Sequence, residues 1–85
     1  MPEISRFYGI VIHMYYDDHA PPHFHAEYEG KDALIRIDNL SLIRGKIDAR
    51  ALGLVMEWAT LHQGDLLRAW DEAKSRRKPG KIAPL

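Results

Sequence analysis

Residues 15–25 constrain the fold more than any other part of this sequence, because they place two adjacent prolines between two runs of β-branched and aromatic residues. Proline fixes its own φ and restricts the preceding residue to extended conformations. The segment therefore predicts a rigid loop between two strands. Three of the chain's five histidines, His19, His23 and His25, fall in the same stretch. The loop is either a place where chemistry is carried out or an ordinary polar connection that faces water.

Runs of β-branched, aromatic and alternating residues predict a four-stranded antiparallel meander. The strands are expected at residues 9–16, 23–28, 33–38 and 40–44. Gly30 lies in the connection 29–32 and can take the positive φ that a tight hairpin needs. Alternation places Ala33, Ile35 and Ile37 toward the core in the third strand, and Leu40 and Leu42 inward in the fourth.

One long C-terminal helix is predicted from residue 49 to about residue 75, because apolar residues recur there at helical spacing. Asp48 precedes it and can accept hydrogen bonds from the free N–H groups of the first turn. Such a helix would be about 40 Å long, whereas a strand is about 20 Å long. The helix must therefore overhang the sheet or bend near Gly64, which would leave Trp70 uncovered in a monomer and predicts a homodimer or a partner protein.

The expected fold is a single α+β domain, residues 1–78, in which this helix packs on one face of the sheet, followed by a tail, residues 79–85. The chain has 85 residues and no cysteine, which fits a reducing cytoplasm. It has no apolar run near the ~20 residues that cross a bilayer and no signal-peptide pattern. We therefore expect a cytoplasmic protein that does not enter a membrane.

The formal net charge is zero, which is not typical of nucleic-acid-binding proteins. The charge is nevertheless uneven, because the segment 74–81 carries five cations and no acidic residue. These cations are Lys74, Arg76, Arg77, Lys78 and Lys81. The segment is either a solvated tail or a contact for RNA phosphates or an acidic partner.

A cluster of polar rings is predicted on the sheet face that the helix leaves open. If the loop closes the first hairpin simply, His13 lies opposite His25 and Tyr15 lies opposite His23. The hairpin at Gly30 then places Arg36 opposite His25 on its other side. His13, His25 and Arg36 would form a row across three strands, with neighbouring Cβ atoms about 5 Å apart.

Two kinds of chemistry fit such a cluster. In a metal-independent ribonuclease, His13, His23 and His25 would supply the acid and base, and Arg36 would clamp the phosphate. In a zinc or other divalent transition-metal site, the ligands would come from Asp17, His19, His23 and His25. A His/Asp set without cysteine is typical of a catalytic rather than a structural metal site. The third reading is a solvated face with no bound cofactor.

Several motifs resemble the bacterial family of small proteins catalogued as domain of unknown function 4160. These motifs are residues 1–10, 14–19, 21–25, 54–63 and 81–85, of which the Pro-Pro-His-Phe-His block is the most specific. Members of that family are often encoded beside another small protein, in an arrangement similar to a toxin–antitoxin pair. The resemblance therefore implies a cognate partner protein and, by analogy, an effector that acts on RNA. The alternative is a non-enzymatic module whose helix and tail bind a partner.

Overall fold

The computed structural model describes residues 2–16 and 18–85, which form a five-stranded antiparallel sheet and two helices. The strands follow one another across the sheet in chain order. They are β1 (Glu3–Phe7), β2 (Ile10–His13), β3 (His23–Tyr28), β4 (Lys31–Arg36) and β5 (Leu42–Gly45). The helices are α1 (Ala49–Leu61) and α2 (Gln63–Lys74). The predicted α+β class is confirmed, but the sheet has one strand more, and the helical region one helix more, than the sequence pattern predicts.

Strand β1 is the element that the sequence pattern missed. It pairs with β2 through a two-residue turn at Tyr8 and Gly9, which have φ values of 50° and 79°. Positive φ at both central residues is the requirement of a type I′ hairpin turn. The predicted first strand began at Gly9, which instead lies in this turn. Glu29 and Gly30, with φ values of 51° and 78°, form the equivalent turn between β3 and β4, as predicted.

The core lies between one face of the sheet and the two helices. Alternate residues of each strand point into it, so that Ile12, Phe24 and Ile35 are fully buried. Trp58 of α1 packs its ring against Phe24. Each such side chain contributes about 1.5–3 kcal/mol on burial. This layer turns the next residue of each strand, including His13 and His25, toward the opposite face.

The predicted helix is interrupted at His62, whose φ of −125° and ψ of 25° are not helical. The Gln63 side-chain amide donates to the carbonyl oxygens of Ile37 and Asp38, at 2.7 and 2.9 Å, and ties the break to the end of β4. The interruption lets α2 turn back toward the sheet. Trp70 is consequently only 6 % exposed, and the expectation that it is uncovered in a monomer is wrong.

The C-terminal tail packs on the same chain. The Ile82 N–H donates to the carbonyl oxygen of Ile4 at 2.8 Å, and Trp58 Nε1 donates to the carbonyl oxygen of Ala83 at 2.8 Å. Ile82 is buried in the core. The tail thereby adds a backbone hydrogen bond and buried apolar surface next to β1.

Among the described residues, neither helix is long and apolar enough to cross a membrane.

Strand β5 is displaced by an irregularity in its pairing with β4. Leu34 pairs with Arg44, but the next residue, Ile35, pairs with Leu42, so one extra residue, Ile43, is inserted in β5. Leu42 pairs with the buried Ile35 and therefore lies on the inward face, as predicted, but at the edge of the sheet it remains 43 % exposed. Gly45 then continues the pairing with a φ of +85°.

We predict that replacing Gly45 lowers the stability of the fold more than replacing any other glycine of the sheet. A Cβ there would overlap the backbone carbonyl oxygen of Asp32, and its positive φ strains other residues. We expect Gly45→Ala to lower the free energy of unfolding, measured in urea, by about 3 kcal/mol. Gly53 is the matched control, because it lies inside α1 with open space around its Cα. Gly53→Ala should raise the same quantity by about 0.5–1 kcal/mol. If Gly45→Ala and Gly53→Ala change the free energy of unfolding equally, the close approach of Gly45 to the Asp32 backbone does not determine its stability effect.

Candidate metal centre

His13, His23 and His25 come together on the neighbouring strands β2 and β3, and all three are buried. His13 lies opposite His25 in the ladder, as predicted, and the two rings stack with centroids 5.1 Å apart and planes 8° apart. The His23 and His25 ring centroids are 5.4 Å apart. Buried imidazoles need partners for their nitrogen atoms, so the hydrogen bonds of each ring decide what it can do.

The His23 ring is held at both nitrogens. Nδ1 lies 2.8 Å from the carbonyl oxygen of Pro21, which can only accept, so Nδ1 carries a hydrogen and donates it. Nε2 lies 2.9 Å from the Oδ2 atom of Asp18. The ring also packs against the indole of Trp70, with centroids 5.2 Å apart. A neutral ring with this tautomer has no hydrogen on Nε2, so the 2.9 Å contact with the Asp18 carboxylate requires a cation between the two atoms, either a proton on Nε2 or a metal ion.

The His25 ring has the same arrangement with a different outer partner. Nδ1 lies 3.2 Å from the Oδ2 atom of Asp32, a carboxylate that accepts the Nδ1 hydrogen. Nε2 is buried without a hydrogen-bond partner among the described residues. It lies 3.8 Å from the Oδ2 atom of Asp18, the carboxylate that His23 also approaches. A buried polar atom without a partner is costly and calls for a physical explanation.

The geometry of these three groups fits a metal ion. Asp18, His23 and His25 each offer one ligand atom, and these atoms lie within 4.8 Å of one another. Ligand atoms about 2.0–2.1 Å from a tetrahedral zinc ion lie about 3.3–3.4 Å apart. The separations of 2.9 and 3.8 Å from Asp18 Oδ2 to the two Nε2 atoms lie on either side of that value. Small movements would bring all three to bonding distance.

Both imidazoles carry the outer hydrogen bond that metal-binding histidines usually have. A metal-ligating histidine donates its other N–H to a carboxylate or a backbone carbonyl, which fixes its tautomer and its orientation. His25 donates to Asp32, and His23 donates to the Pro21 carbonyl. The two Nε2 atoms therefore approach the same oxygen of one carboxylate, Asp18 Oδ2. His13, His25 and Asp32 form a second group that could hold an ion.

The electrostatics favour an ionised carboxylate at the centre. Burial raises the pKa of Asp18, but the hydrogen bond from the His19 N–H and the nearby His23 and His25 rings lower it by more. The net pKa of Asp18 is therefore below its ordinary value. Asp18 is thus an ionised carboxylate at neutral pH.

A cleft of about 680 Å³ opens beside this cluster. Asp18, His23 and His25 line it, together with Tyr15 and His19 from the segment between β2 and β3. Asp32, Leu34, Ile43 and Arg44 line it from β4 and β5. The cluster is therefore buried at its back and open to solvent on the cleft side.

The predicted position of Arg36 is wrong. Arg36 pairs with His23 in the ladder, and Leu34 is the residue opposite His25. The Arg36 guanidinium is bonded to Asp38, with Nε 2.6 Å from Oδ1 and Nη2 2.9 Å from Oδ2. Tyr15 contacts the His25 ring, at 4.6 Å between centroids, and does not form the predicted ladder pair with His23.

The metal ligands predicted from the sequence are only partly those that the structure brings together. His23 and His25 are in the cluster, His19 is exposed at the edge of the cleft, and Asp17 lies outside the described residues. Asp18 and Asp32 were not predicted as site residues. The sequence shows Asp18 only as an acidic residue of the loop and Asp32 only as a residue two positions after Gly30. The direction in which each side chain points depends on how the loop and the hairpin fold.

The basic segment begins beside the loop that contains Asp18. Lys74 ends α2, and its Nζ donates to the backbone carbonyl of Asp18 at 3.5 Å. Arg76, Arg77 and Lys78 follow and are exposed. Of these cations, Lys74 therefore contacts the loop that contains Asp18.

Comparison with known proteins places the chain in a family. A family model described as a domain of unknown function (DUF4160) matches residues 9–71. The chain belongs to this family. The match includes His13, His23, His25, Asp18 and Asp32, so the whole cluster lies within the DUF4160 region. No curated protein and no solved structure matches the chain.

The lowered pKa of His13 predicts that the folded protein loses stability when the pH falls. Burial lowers its pKa and His25 lowers it further, against smaller opposing effects of Asp32 and Glu27. A histidine with a lowered pKa in the folded state takes up its proton more readily when unfolded. Its contribution to stability is therefore present above the unfolded pKa of about 6.5 and is lost as the pH falls through the folded pKa.

We expect the free energy of unfolding, measured by urea titration in EDTA, to fall as the pH drops below about 6.5. The part due to His13 has a slope of at most about 1.4 kcal/mol per pH unit. His13→Gln should show a smaller slope over the same range. Identical slopes in the two proteins would show that His13 does not titrate with folding.

Proposed function

We propose that this protein is a divalent transition-metal-binding domain whose centre is Asp18, His23 and His25. One observation carries the proposal: two imidazoles, each with Nδ1–H held by an outer acceptor, direct their Nε2 atoms at one carboxylate. The orphaned and buried His25 Nε2 supports it, because a metal ion would satisfy that atom.

The donor set favours zinc and a reactive rather than a structural role. Structural zinc sites have four protein ligands, whereas catalytic sites commonly have three and keep one position open. Two histidines and one carboxylate are a set of the second kind, which suits zinc or iron(II). When bound, such an ion would supply a Lewis acid and lower the pKa of a bound water. The cleft gives a substrate access to that side of the cluster.

The protein's own residues would prepare the centre. Asp32 holds the proton on His25 Nδ1, and the Pro21 carbonyl holds the proton on His23 Nδ1. Trp70 fixes the His23 ring from the side of α2. Such support reduces the freedom that the ligands would otherwise lose on binding.

Zinc binding tests this proposal directly. We expect isothermal titration of protein purified without a histidine tag to show one Zn²⁺ per chain. Cobalt(II) should give the visible absorption of a low-symmetry site. His25→Ala and Asp18→Asn should abolish both signals, since each removes one of three ligands. His62→Gln is the control, because His62 lies at the helix break and bonds to Asp65.

Asp32→Asn separates the outer carboxylate from the ligands. It should weaken zinc affinity about 10- to 100-fold without abolishing binding. Binding that survives His25→Ala, or that is lost equally in His62→Gln, would falsify the proposed centre.

We further propose that the protein acts on RNA as the effector half of a two-protein bacterial module. The contact of Lys74 with the backbone of Asp18 supports this, because a cation at the start of the basic segment lies beside the proposed centre. Tyr15 and Tyr16 are each 42 % exposed in the same region. Exposed aromatic rings next to cations are typical of surfaces that bind single-stranded nucleic acid. A cytoplasmic location remains part of this proposal.

A cognate partner protein and a homodimer remain predictions. One basis for them has changed, because Trp70 and Ile82 are packed within the chain itself. The alternative of a non-enzymatic partner-binding module therefore has less apolar surface to use than the sequence indicated.

RNA binding can be measured by fluorescence anisotropy with a labelled single-stranded oligonucleotide. A variant with Lys74, Arg77 and Lys78 changed to Gln should bind more weakly. The slope of its affinity against salt concentration should fall by about 0.7 for each phosphate that the variant no longer neutralises. Lys31→Gln is the control, because Lys31 lies at the β3–β4 turn. His25→Ala should keep the binding but lose any cleavage. If the wild type and the triple variant bind RNA with equal affinity, the basic segment does not contact the RNA.

A further inference from the structure

A row of side chains crosses the sheet from the metal centre to the edge strand. The ladders pair His13 with His25, His25 with Leu34, and Leu34 with Arg44. Residues directly opposite in an antiparallel sheet point to the same face. Arg44 therefore lies on the face of the three histidines. The row predicted from the sequence contained a guanidinium, but the structure supplies it from β5 and not from Arg36.

Two irregularities of β5 give Arg44 this position. A regular ladder continued from the Leu42–Ile35 pair would set Arg44 opposite Ala33, on the core face, whereas the bulge at Ile43 sets it opposite Leu34. Gly45 then lets β5 pass close to the Asp32 backbone, where no Cβ would fit. Bulges often reorient a side chain next to a functional site. The irregular edge therefore directs a cation to the cleft.

Arg44 has the properties of a ligand-binding residue. It is exposed, it lines the cleft together with Asp18 and His25, and no ion pair engages it within residues 2–16 and 18–85. Its Cα lies two strand spacings from that of His25, or about 10 Å. The long side chain can cover much of this gap. Arg36, by contrast, is already bonded to a carboxylate.

We infer that Arg44 binds the phosphate group of a phosphate-ester ligand whose phosphate is also held at the metal centre. The inference rests on the proposed metal site and names the class of its ligand. A guanidinium presents a planar fork that matches two phosphate oxygens. Lys74 adds positive charge next to the backbone of Asp18. Tyr15 and Ile43 offer apolar surface in the same cleft for the organic part of the ester.

The experiment measures binding of inorganic phosphate to the zinc-loaded protein by isothermal titration. Arg44→Gln should weaken phosphate binding about 10- to 100-fold, the range for removal of a charge-assisted hydrogen bond. Its zinc affinity should not change, because Arg44 is not a metal ligand. Arg36→Gln is the matched control, since it removes the same group from β4, and it should bind phosphate as wild type does.

Acetate provides the second arm, because a carboxylate would also attract a guanidinium. Phosphate affinity well above acetate affinity, with a difference that disappears in Arg44→Gln, supports the inference. Equal affinity for the two anions, or phosphate binding unchanged by Arg44→Gln, overturns it and leaves the metal centre intact. Absence of zinc binding overturns both the metal centre and this inference.

Discussion

Alternation along β3 is the constraint on which the core and the candidate site both depend. Phe24 and Ala26 point to the helices and are fully buried, so His23 and His25 must point the other way. A shift of one residue would exchange these faces and place imidazoles among the indole and aliphatic groups of the core. The burial of the apolar side chains therefore fixes where the histidines lie. The stability of the fold and the position of the site come from the same register.

Once the rings are placed, their outer hydrogen bonds decide their chemistry. The Pro21 carbonyl and the Asp32 carboxylate each hold an Nδ1 hydrogen, which leaves the Nε2 atoms to face Asp18. An isolated imidazole on a solvated face would have no such preference between its two nitrogens. Burying the His25 Nε2 atom without a hydrogen-bond partner among the described residues costs free energy. That cost is the physical reason to regard the cluster as a binding site.

The helices contribute to the site through the interruption at His62. A single straight helix would extend past the sheet, whereas α2 turns back and brings Trp70 against His23 and Lys74 against the Asp18 loop. The same turn buries Trp70, the residue that a straight helix was expected to leave uncovered. One local break therefore connects monomer packing, ring orientation and the position of the basic segment.

Local patterns in the chain are sufficient to predict the α+β class, the alternation of β3 and β4, the helix start at Asp48 and the pairing of His13 with His25. These features depend on periodicity, capping and a short loop, all of which act between near neighbours. The folded chain was needed to show that Asp18 and Asp32 complete the cluster, and that Arg44 rather than Arg36 lies in its row. Those choices depend on the direction of loop side chains and on one extra residue in β5. Their physical cause is contact between segments far apart in the chain, which no local pattern encodes.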